Sequence, residues 1–189
     1  GDKKYHIRAG RIINHVIQWA EDNSWRIPEH FTKEWVADLD CNRDRPDDPF
    51  KPYGATPGHG IEWARLITQW TLANCGEEKE KLEIHLQAAE NLYTTAIKDG
   101  WNADGALGIV YTTDWNGKPV VHDRMHWTLA EAINTYLYTL PAEARNTFVG
   151  RYYFADPIRE VADYYGVSEP KVKSMLYRTR QGLKKYLEK

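Results

Sequence analysis

The stretch Pro52–Trp63, PYGATPGHGIEW, separates a proline-rich segment from the beginning of a regular apolar pattern. A proline and a glycine in its middle favour a turn, and apolar residues then recur three and four positions apart over 58–73. A second pattern of this kind follows over 77–98, so we expect two antiparallel helices. His59 would then lie in the first turn of the first helix, with Glu62 one turn later.

The rest of the sequence predicts further helices and one hairpin. Helical spacing recurs over 5–21, 123–139, 142–150, 156–165 and 168–187. Residues 23–57 contain five prolines, which argues against a long regular element, while their aromatic residues indicate a packed loop. Asn116 and Gly117 lie between two β-prone runs and predict a type I′ turn, because both tolerate positive φ. The predicted class is therefore mainly α with a small β-hairpin.

Size and composition indicate a globular protein. A chain of 189 residues is long enough for one domain, or for a domain with a small appendage. It contains neither an 18-residue apolar run nor an apolar N-terminal leader, so we expect a cytoplasmic protein without a membrane partner. Cys41 and Cys75 lack zinc-type spacing and are expected to be reduced thiols.

Charge divides the chain into two parts. From Pro141 onward there are ten Lys and Arg against six Asp and Glu, whereas the preceding residues have fifteen against twenty-one. All eight Trp and all seven His lie at or before Trp127. A basic tail therefore follows an acidic body, and the two parts are expected to differ in function.

His59 and Glu62 are candidate catalytic residues. Histidine titrates near neutrality and can both take and return a proton, while a nearby carboxylate can hold its ring. The alternative is a capped helix start with an incidental histidine. His122 and His126 have the spacing of two metal ligands on a helix, but no third ligand follows and a strand end is expected at His122, so neither metal nor cofactor is predicted.

Several tryptophans have the composition of a carbohydrate pocket, in which flat aromatic faces meet sugar C–H groups and polar side chains bind hydroxyls. The alternative is that these tryptophans belong to the helical core. The candidate substrate-binding residues are Trp63, Trp115, Arg124, Trp127 and Glu131.

Three segments carry a family resemblance over residues 1–135. In order they are FKPYGATPGHGIEWARL, DGWNADGALGIVYTTDWNGKPVV and RMHWTLAEAI. Together they resemble the N-acylglucosamine 2-epimerase superfamily, in particular its mannose and sulfoquinovose isomerase branch. The resemblance implies an (α/α)6 barrel and metal-independent proton transfer at C2 of a monosaccharide through a cis-enediol. It also implies that His59 is one of two catalytic histidines and that Glu62 positions the ring or the sugar. Trp127 would line the pocket, and Glu131 would contact hydroxyls.

The resemblance covers only part of such a barrel. Twelve helices need over 300 residues, and the motif of the second catalytic histidine is not matched in these 189 residues. We therefore expect a barrel fragment, and whether the chain alone is an enzyme stays open. An incomplete barrel exposes its inner apolar face, so we expect it to form a homo-oligomer or to aggregate.

The tail has the pattern of a DNA-reading module. A short glycine-containing turn separates its last two helices, and the final helix combines a buried apolar stripe with cations that could neutralise phosphates. The alternative is a solvated basic face. Residues 138–189, which include DPIREVADYYGVSEPKVKSMLYRTRQGLKKYL, look like region 4 of sigma-70-type sigma factors. The candidate DNA-binding residues are Lys171, Lys173, Ser174, Arg178 and Arg180.

This second resemblance implies promoter DNA of the −35 type and RNA polymerase as partners. No region 2 is present, so a complete sigma function is not expected. The predicted domains are a partial sugar isomerase/epimerase-like barrel over 1–137 and a helix-turn-helix module over 138–189. Three functions follow: an incomplete isomerase fused to a DNA-binding module, a transcription-initiation module, or a chimeric helical protein with neither activity.

Overall fold

The computed structural model describes residues 3–74 and 79–188. Its contacts divide the chain into two compact units, with the boundary between Ala132 and Ile133. We call them the N-terminal and the C-terminal unit. No helix in the described ranges is long and apolar enough to cross a membrane.

The described residues are mainly helical, which confirms the predicted class. In chain order the elements are α1 (Lys3–Asp22), α2 (Pro57–Asn74), α3 (Lys79–Gly100), β1 (Thr112–Thr113), β2 (Pro119–Val121), α4 (His126–Tyr138), α5 (Ala142–Tyr152), α6 (Ile158–Tyr165) and α7 (Glu169–Leu187). The first two residues of the predicted 77–98 helix lie outside the described ranges, as does Cys75. Cys41 is a half-buried free thiol.

Helices α2 and α3 form the centre of the N-terminal unit. Gly60, near the start of α2, lies so close to α3 that an added Cβ would be 3.0 Å from the Cβ of Ala96, near the end of α3. The two helices are therefore antiparallel, as predicted. Ile61, Ile67 and Leu92 are fully buried and supply the apolar contact between the helices and their neighbours.

The hairpin is present, but its turn differs from the prediction. Strands β1 and β2 pair antiparallel, and only Gly117 of the predicted pair has a positive φ, of 81°. Type I′ geometry requires positive φ at both positions, so that prediction is wrong. Instead, Asp114 organises the loop: its Oδ1 accepts the backbone N–H groups of Asn116 and Lys118 at 2.8 and 2.9 Å. The N–H of Gly117 donates to the Asp114 carbonyl at 3.0 Å.

Residues 23–56 contain no helix and pack as the aromatic composition predicted. The Phe31 ring lies 4.6 Å from the Trp19 ring of α1, measured between centroids. At the other end of the segment, Ala55 and Thr113 exchange two backbone hydrogen bonds of 2.9 Å. The segment therefore joins the hairpin to the helices.

Two side-chain contacts close this segment upon itself. The amide of Asn42 donates to the carbonyl of Lys51 at 2.8 Å. The Nε2 atom of His30 lies 3.1 Å from the carbonyl oxygen of Pro52. The loop that Asn42 and Lys51 close therefore lies within the longer loop that His30 and Pro52 close.

The C-terminal unit has its own small core between α6 and α7, made by Val161, Ala162, Val172, Met175 and Leu176. Helix α6 ends at Tyr165, and the C-cap residue Gly166 has a φ of 61°, which suits a residue without a side chain. Ser168 occupies the N-cap position of α7, but its side chain makes no capping hydrogen bond.

Candidate functional site

The first turn of α2 presents His59 between two other elements. Its Nδ1 lies 2.7 Å from Oε1 of Glu29, which comes from the irregular segment before α2. On another side, the His59 ring meets the Trp127 ring of α4, with 4.9 Å between centroids. The side chain is still 37% exposed. His59 is therefore held by two contacts and remains accessible.

The surroundings of His59 raise its pKa. Burial is the largest single influence and lowers the pKa, because it disfavours the charged ring. The hydrogen bond and the charge of Glu29, with the charge of Glu62, act in the opposite direction and prevail. The pKa of His59 therefore lies above the ordinary 6.5. The carboxylate in direct contact with the ring is that of Glu29, whereas Glu62, the carboxylate that the sequence predicted, acts on the pKa through its charge.

Gly58 explains how α4 approaches the start of α2. A Cβ at this position would lie 2.6 Å from the Trp127 ring and 2.6 Å from Cγ2 of Thr128. These distances are shorter than a carbon–carbon contact allows, so only glycine fits without a shift of α4. The absence of a side chain at Gly58 thus permits the contact between Trp127 and His59.

Glu131 also faces α2, one turn after Trp127 on α4. Its Oε2 accepts a hydrogen bond of 2.7 Å from Nε of Arg65, and both side chains are largely buried, at 18% and 15% exposure. A carboxylate and a guanidinium therefore form a second contact between α2 and α4, the helices that carry His59 and Trp127. Polar groups of this kind can bind sugar hydroxyls, which keeps the predicted role of Glu131 open.

Arg124 forms a separate cluster with Asp104. Its guanidinium makes two hydrogen bonds to the Asp104 carboxylate, and Nδ1 of His122 lies 2.7 Å from the same carboxylate. The hydrogen bonds from Arg124 and then His122 hold the pKa of Asp104 far below its usual range. The guanidinium of Arg124, which was predicted to bind substrate, therefore already has Asp104 as a partner. Its binding to a sugar stays a prediction.

The two remaining tryptophans differ in their surroundings. Trp115, in the hairpin loop, donates its indole N–H to the carbonyl of Leu39 at 2.7 Å. Trp63 is half-buried on α2, four residues after His59. Among the described residues, the ring that contacts His59 is that of Trp127. The predicted roles of Trp63 and Trp115 in sugar binding stay predictions.

The sequence of this chain matches a known family over most of its length. Residues 1–163 match the family model described as N-acylglucosamine 2-epimerase (GlcNAc 2-epimerase). The chain belongs to the N-acylglucosamine 2-epimerase family. This confirms the resemblance of the first segment, and the match extends past residue 135 into α6.

Relatives of this chain include two proteins named D-mannose isomerase. A D-mannose isomerase of Pseudomonas cannabina pv. alisalensis is 44% identical over 133 residues, which are 70% of this chain and 32% of that protein. A D-mannose isomerase of Thermobifida fusca is 39% identical over 145 residues, with 71% of this chain and 32% of that protein covered. This chain thus spans about a third of the length of these relatives.

A solved structure supports the same fold. The crystal structure of a D-mannose isomerase superposes with a TM-score of 0.62 at 25% identity, covering 77% of this chain and 37% of that one. The helical fold of this family member is accordingly similar to that of an (α/α)6-barrel enzyme.

Glu29 is the site residue that the sequence did not reveal. It lies thirty positions before His59, in a segment without regular structure. No helical or strand spacing connects the two residues. The available signal was weaker: the aromatic residues of this segment predicted that it packs against the helices, and Glu29 is one of its few carboxylates before the acidic middle.

No group of three His, Cys, Asp or Glu suited to a metal ion occurs in the part of the chain that the structure describes. His122 directly follows β2, as its predicted strand end required, and His126 is the first residue of α4. The two histidines therefore do not share a helix.

The candidate DNA-binding residues all lie on the exposed side of α7. These residues are Lys171, Lys173, Ser174, Arg178 and Arg180. The opposite face of α7 is buried and apolar. Two of the cations have carboxylate partners: Lys171 pairs with Glu143 at 3.1 Å and Lys173 with Glu169 at 3.8 Å. Exposed pairs of this type contribute little and are open to competition by other anions.

Proposed function

We propose that His59 transfers a proton at C2 of an aldose of the mannose type, in an aldose–ketose isomerase or 2-epimerase. The observation that carries this proposal is the accessible His59 ring between Glu29 and Trp127. The D-mannose isomerases similar to this chain support the substrate class.

The chemistry suits a histidine held in this way. When Nε2 of His59 removes the C2 proton of the open-chain aldose, the C–H electron pair forms the C1–C2 double bond and the carbonyl oxygen takes a proton. Return of a proton to C1, with loss of the O2 proton, gives the ketose. Return of a proton to the other face of C2, with loss of the O1 proton, restores the aldehyde and gives the epimer. In this proposal Glu62 orients the ring or the sugar, and Glu131 binds hydroxyls.

The chain spans about a third of the length of these relatives. We propose that it forms a homo-oligomer in which a second copy contributes residues to the site. Exchange at C2 should then increase more steeply than linearly with chain concentration. This activity would operate in the cytoplasm on a free monosaccharide.

The test is proton exchange at C2 of mannose in D2O, followed by loss of the H2 signal in proton NMR. His59→Gln should reduce the exchange rate by about 100-fold, because glutamine cannot accept and return the proton. His6→Gln, an exposed histidine on α1, is the control and should exchange like the unmodified chain. Exchange that survives His59→Gln, or no exchange by the unmodified chain, would exclude the proposal.

A second candidate function is DNA binding by the C-terminal unit. We propose that α6 and α7 form a helix-turn-helix module and that α7 enters the major groove of promoter DNA of the −35 type. The exposed basic face of α7, opposite its buried stripe, favours this function. RNA polymerase as a further partner is supported only by the sequence pattern of residues 138–189.

Binding to a labelled DNA duplex should weaken steeply with salt, because each neutralised phosphate releases counterions. Lys173→Ala combined with Arg178→Ala should make the slope of log affinity against log salt less negative by about 2, because two phosphate contacts are lost. The matched control removes two exposed cations from the N-terminal unit, Lys33→Ala with Arg43→Ala, and should leave that slope unchanged. Equal slopes for both double variants would contradict the proposed interface, and failure of both functions would favour a helical chimera without either activity.

A further inference from the structure

We propose that Glu29 is a positioning residue for His59: its carboxylate fixes the ring with Nδ1 protonated and leaves Nε2 as the nitrogen that exchanges protons with the sugar. This inference rests on the proposed proton transfer by His59. It assigns a task to a residue that the helical motifs do not contain.

The contact itself defines the tautomer. A carboxylate oxygen can only accept a hydrogen bond, so the 2.7 Å contact with Oε1 of Glu29 requires a proton on Nδ1 of His59. In the neutral ring the other nitrogen then carries the lone pair. No protein group within the described residues is hydrogen-bonded to Nε2 of His59. A base at this position therefore acts through Nε2.

Trp127 supplies a second restraint on the ring. Its indole lies 4.9 Å from the His59 ring at an interplanar angle of 32°. Rotation of the imidazole by half a turn would break the hydrogen bond to Glu29 while the ring stayed against the indole. The hydrogen bond therefore selects one of the two ring orientations that the packing allows.

The charges around the His59 ring favour the imidazolium, which is the form of the ring after it has taken the C2 proton of the sugar. Glu29 contacts the ring from the irregular segment, Glu62 acts from within α2, and Trp127 of α4 carries no charge. Tyr111, directly before β1, also responds to Glu29: burial and, to a lesser extent, the charge of Glu29 raise its pKa. When Nε2 takes the C2 proton, the carboxylate of Glu29 stabilises the resulting imidazolium.

The experiment reads the ring directly, without substrate. In the full chain, nitrogen-15 NMR of the His59 imidazole reports both the protonated nitrogen and the titration midpoint. We expect Nδ1–H in the unmodified chain. Glu29→Ala should reduce the Nδ1–H population and move the midpoint to lower pH, and the isosteric Glu29→Gln should also lower the midpoint because it removes the charge. Glu34→Gln, an exposed carboxylate of the same segment, should change neither.

A second readout is the pH profile of C2 exchange. The exchange rate rises with pH as the base becomes neutral. In Glu29→Gln this rise should therefore occur at lower pH, together with the NMR midpoint. An unchanged midpoint and tautomer in both Glu29 variants would overturn the inference even if the unmodified chain exchanges C2 protons. If the ring responds as expected but no exchange occurs, the positioning of His59 by Glu29 is supported and the proposed function fails.

Discussion

Gly54→Ala is expected to destabilise the N-terminal unit by at least about 4 kcal/mol, measured by chemical denaturation. Gly54 has a φ of 93°, where a residue with a side chain is strained. A Cβ at this position would also lie only 2.0 Å from the carbonyl oxygen of Thr113. That oxygen accepts the N–H of Ala55, so the backbone can move aside only if this hydrogen bond is lost.

Gly105→Ala is the matched control for this substitution. Gly105 has a similar φ of 86°, but no atom lies within 4 Å of an added Cβ. It should therefore cost only the conformational strain, of about 1 to 2 kcal/mol. Equal losses for the two variants would show that the overlap with Thr113 is relieved at no cost, contrary to the prediction.

Arg26→Met is expected to destabilise the same unit by about 3 to 5 kcal/mol at neutral pH. Arg26 and Asp99 form an ion pair of 2.8 Å with side chains only 13% and 6% exposed. Loss of the guanidinium leaves the Asp99 carboxylate buried without its partner. Adding Asp99→Asn to Arg26→Met should recover part of the loss, because the double variant carries no buried charge.

The loss should depend on pH in a defined direction. Burial is the largest influence on Asp99 and raises its pKa above 3.8, while Arg26 opposes this. In Arg26→Met the pKa rises further. A raised carboxyl pKa contributes stability below 3.8 that disappears as pH rises through the folded-state pKa, so the destabilisation should shrink in acid and be largest near neutrality.

Arg43→Met provides the exposed comparison. Arg43 pairs with Asp40 at 3.1 Å, but both side chains are at least 70% exposed. Such a pair contributes at most about 1 kcal/mol. A loss for Arg43→Met as large as that for Arg26→Met would contradict the role of burial.

The parts of the fold that depend on local spacing could be predicted. The apolar rhythm after Pro57 indicated α2, and the position of His59 in its first turn followed directly. The turn at Gly117 was predicted in place but wrong in type, because the side chain of Asp114 stabilises another loop geometry. The spacing of apolar residues does not report such side-chain acceptors, and the prediction of the turn did not include the acceptor role of Asp114.

The partners of the candidate site depend on distant contacts. Asp104 binds Arg124 twenty positions later, and Glu29 reaches His59 across thirty positions. Neither distance corresponds to a helical or strand period, so one sequence alone could not connect them. The contact of Trp127 with His59 was not predicted, and it requires the missing side chain of Gly58.

The nested contacts of the irregular segment affect the chain-entropy cost of assembling this site. Direct closure of the thirty-residue span between Glu29 and His59 costs about 1 kcal/mol more chain entropy than closure of the nine-residue span between Asn42 and Lys51. Once the inner loop has closed, fewer free residues separate the outer partners. Closure of the inner loop thus lowers the chain-entropy cost of forming the hydrogen bond that fixes the histidine.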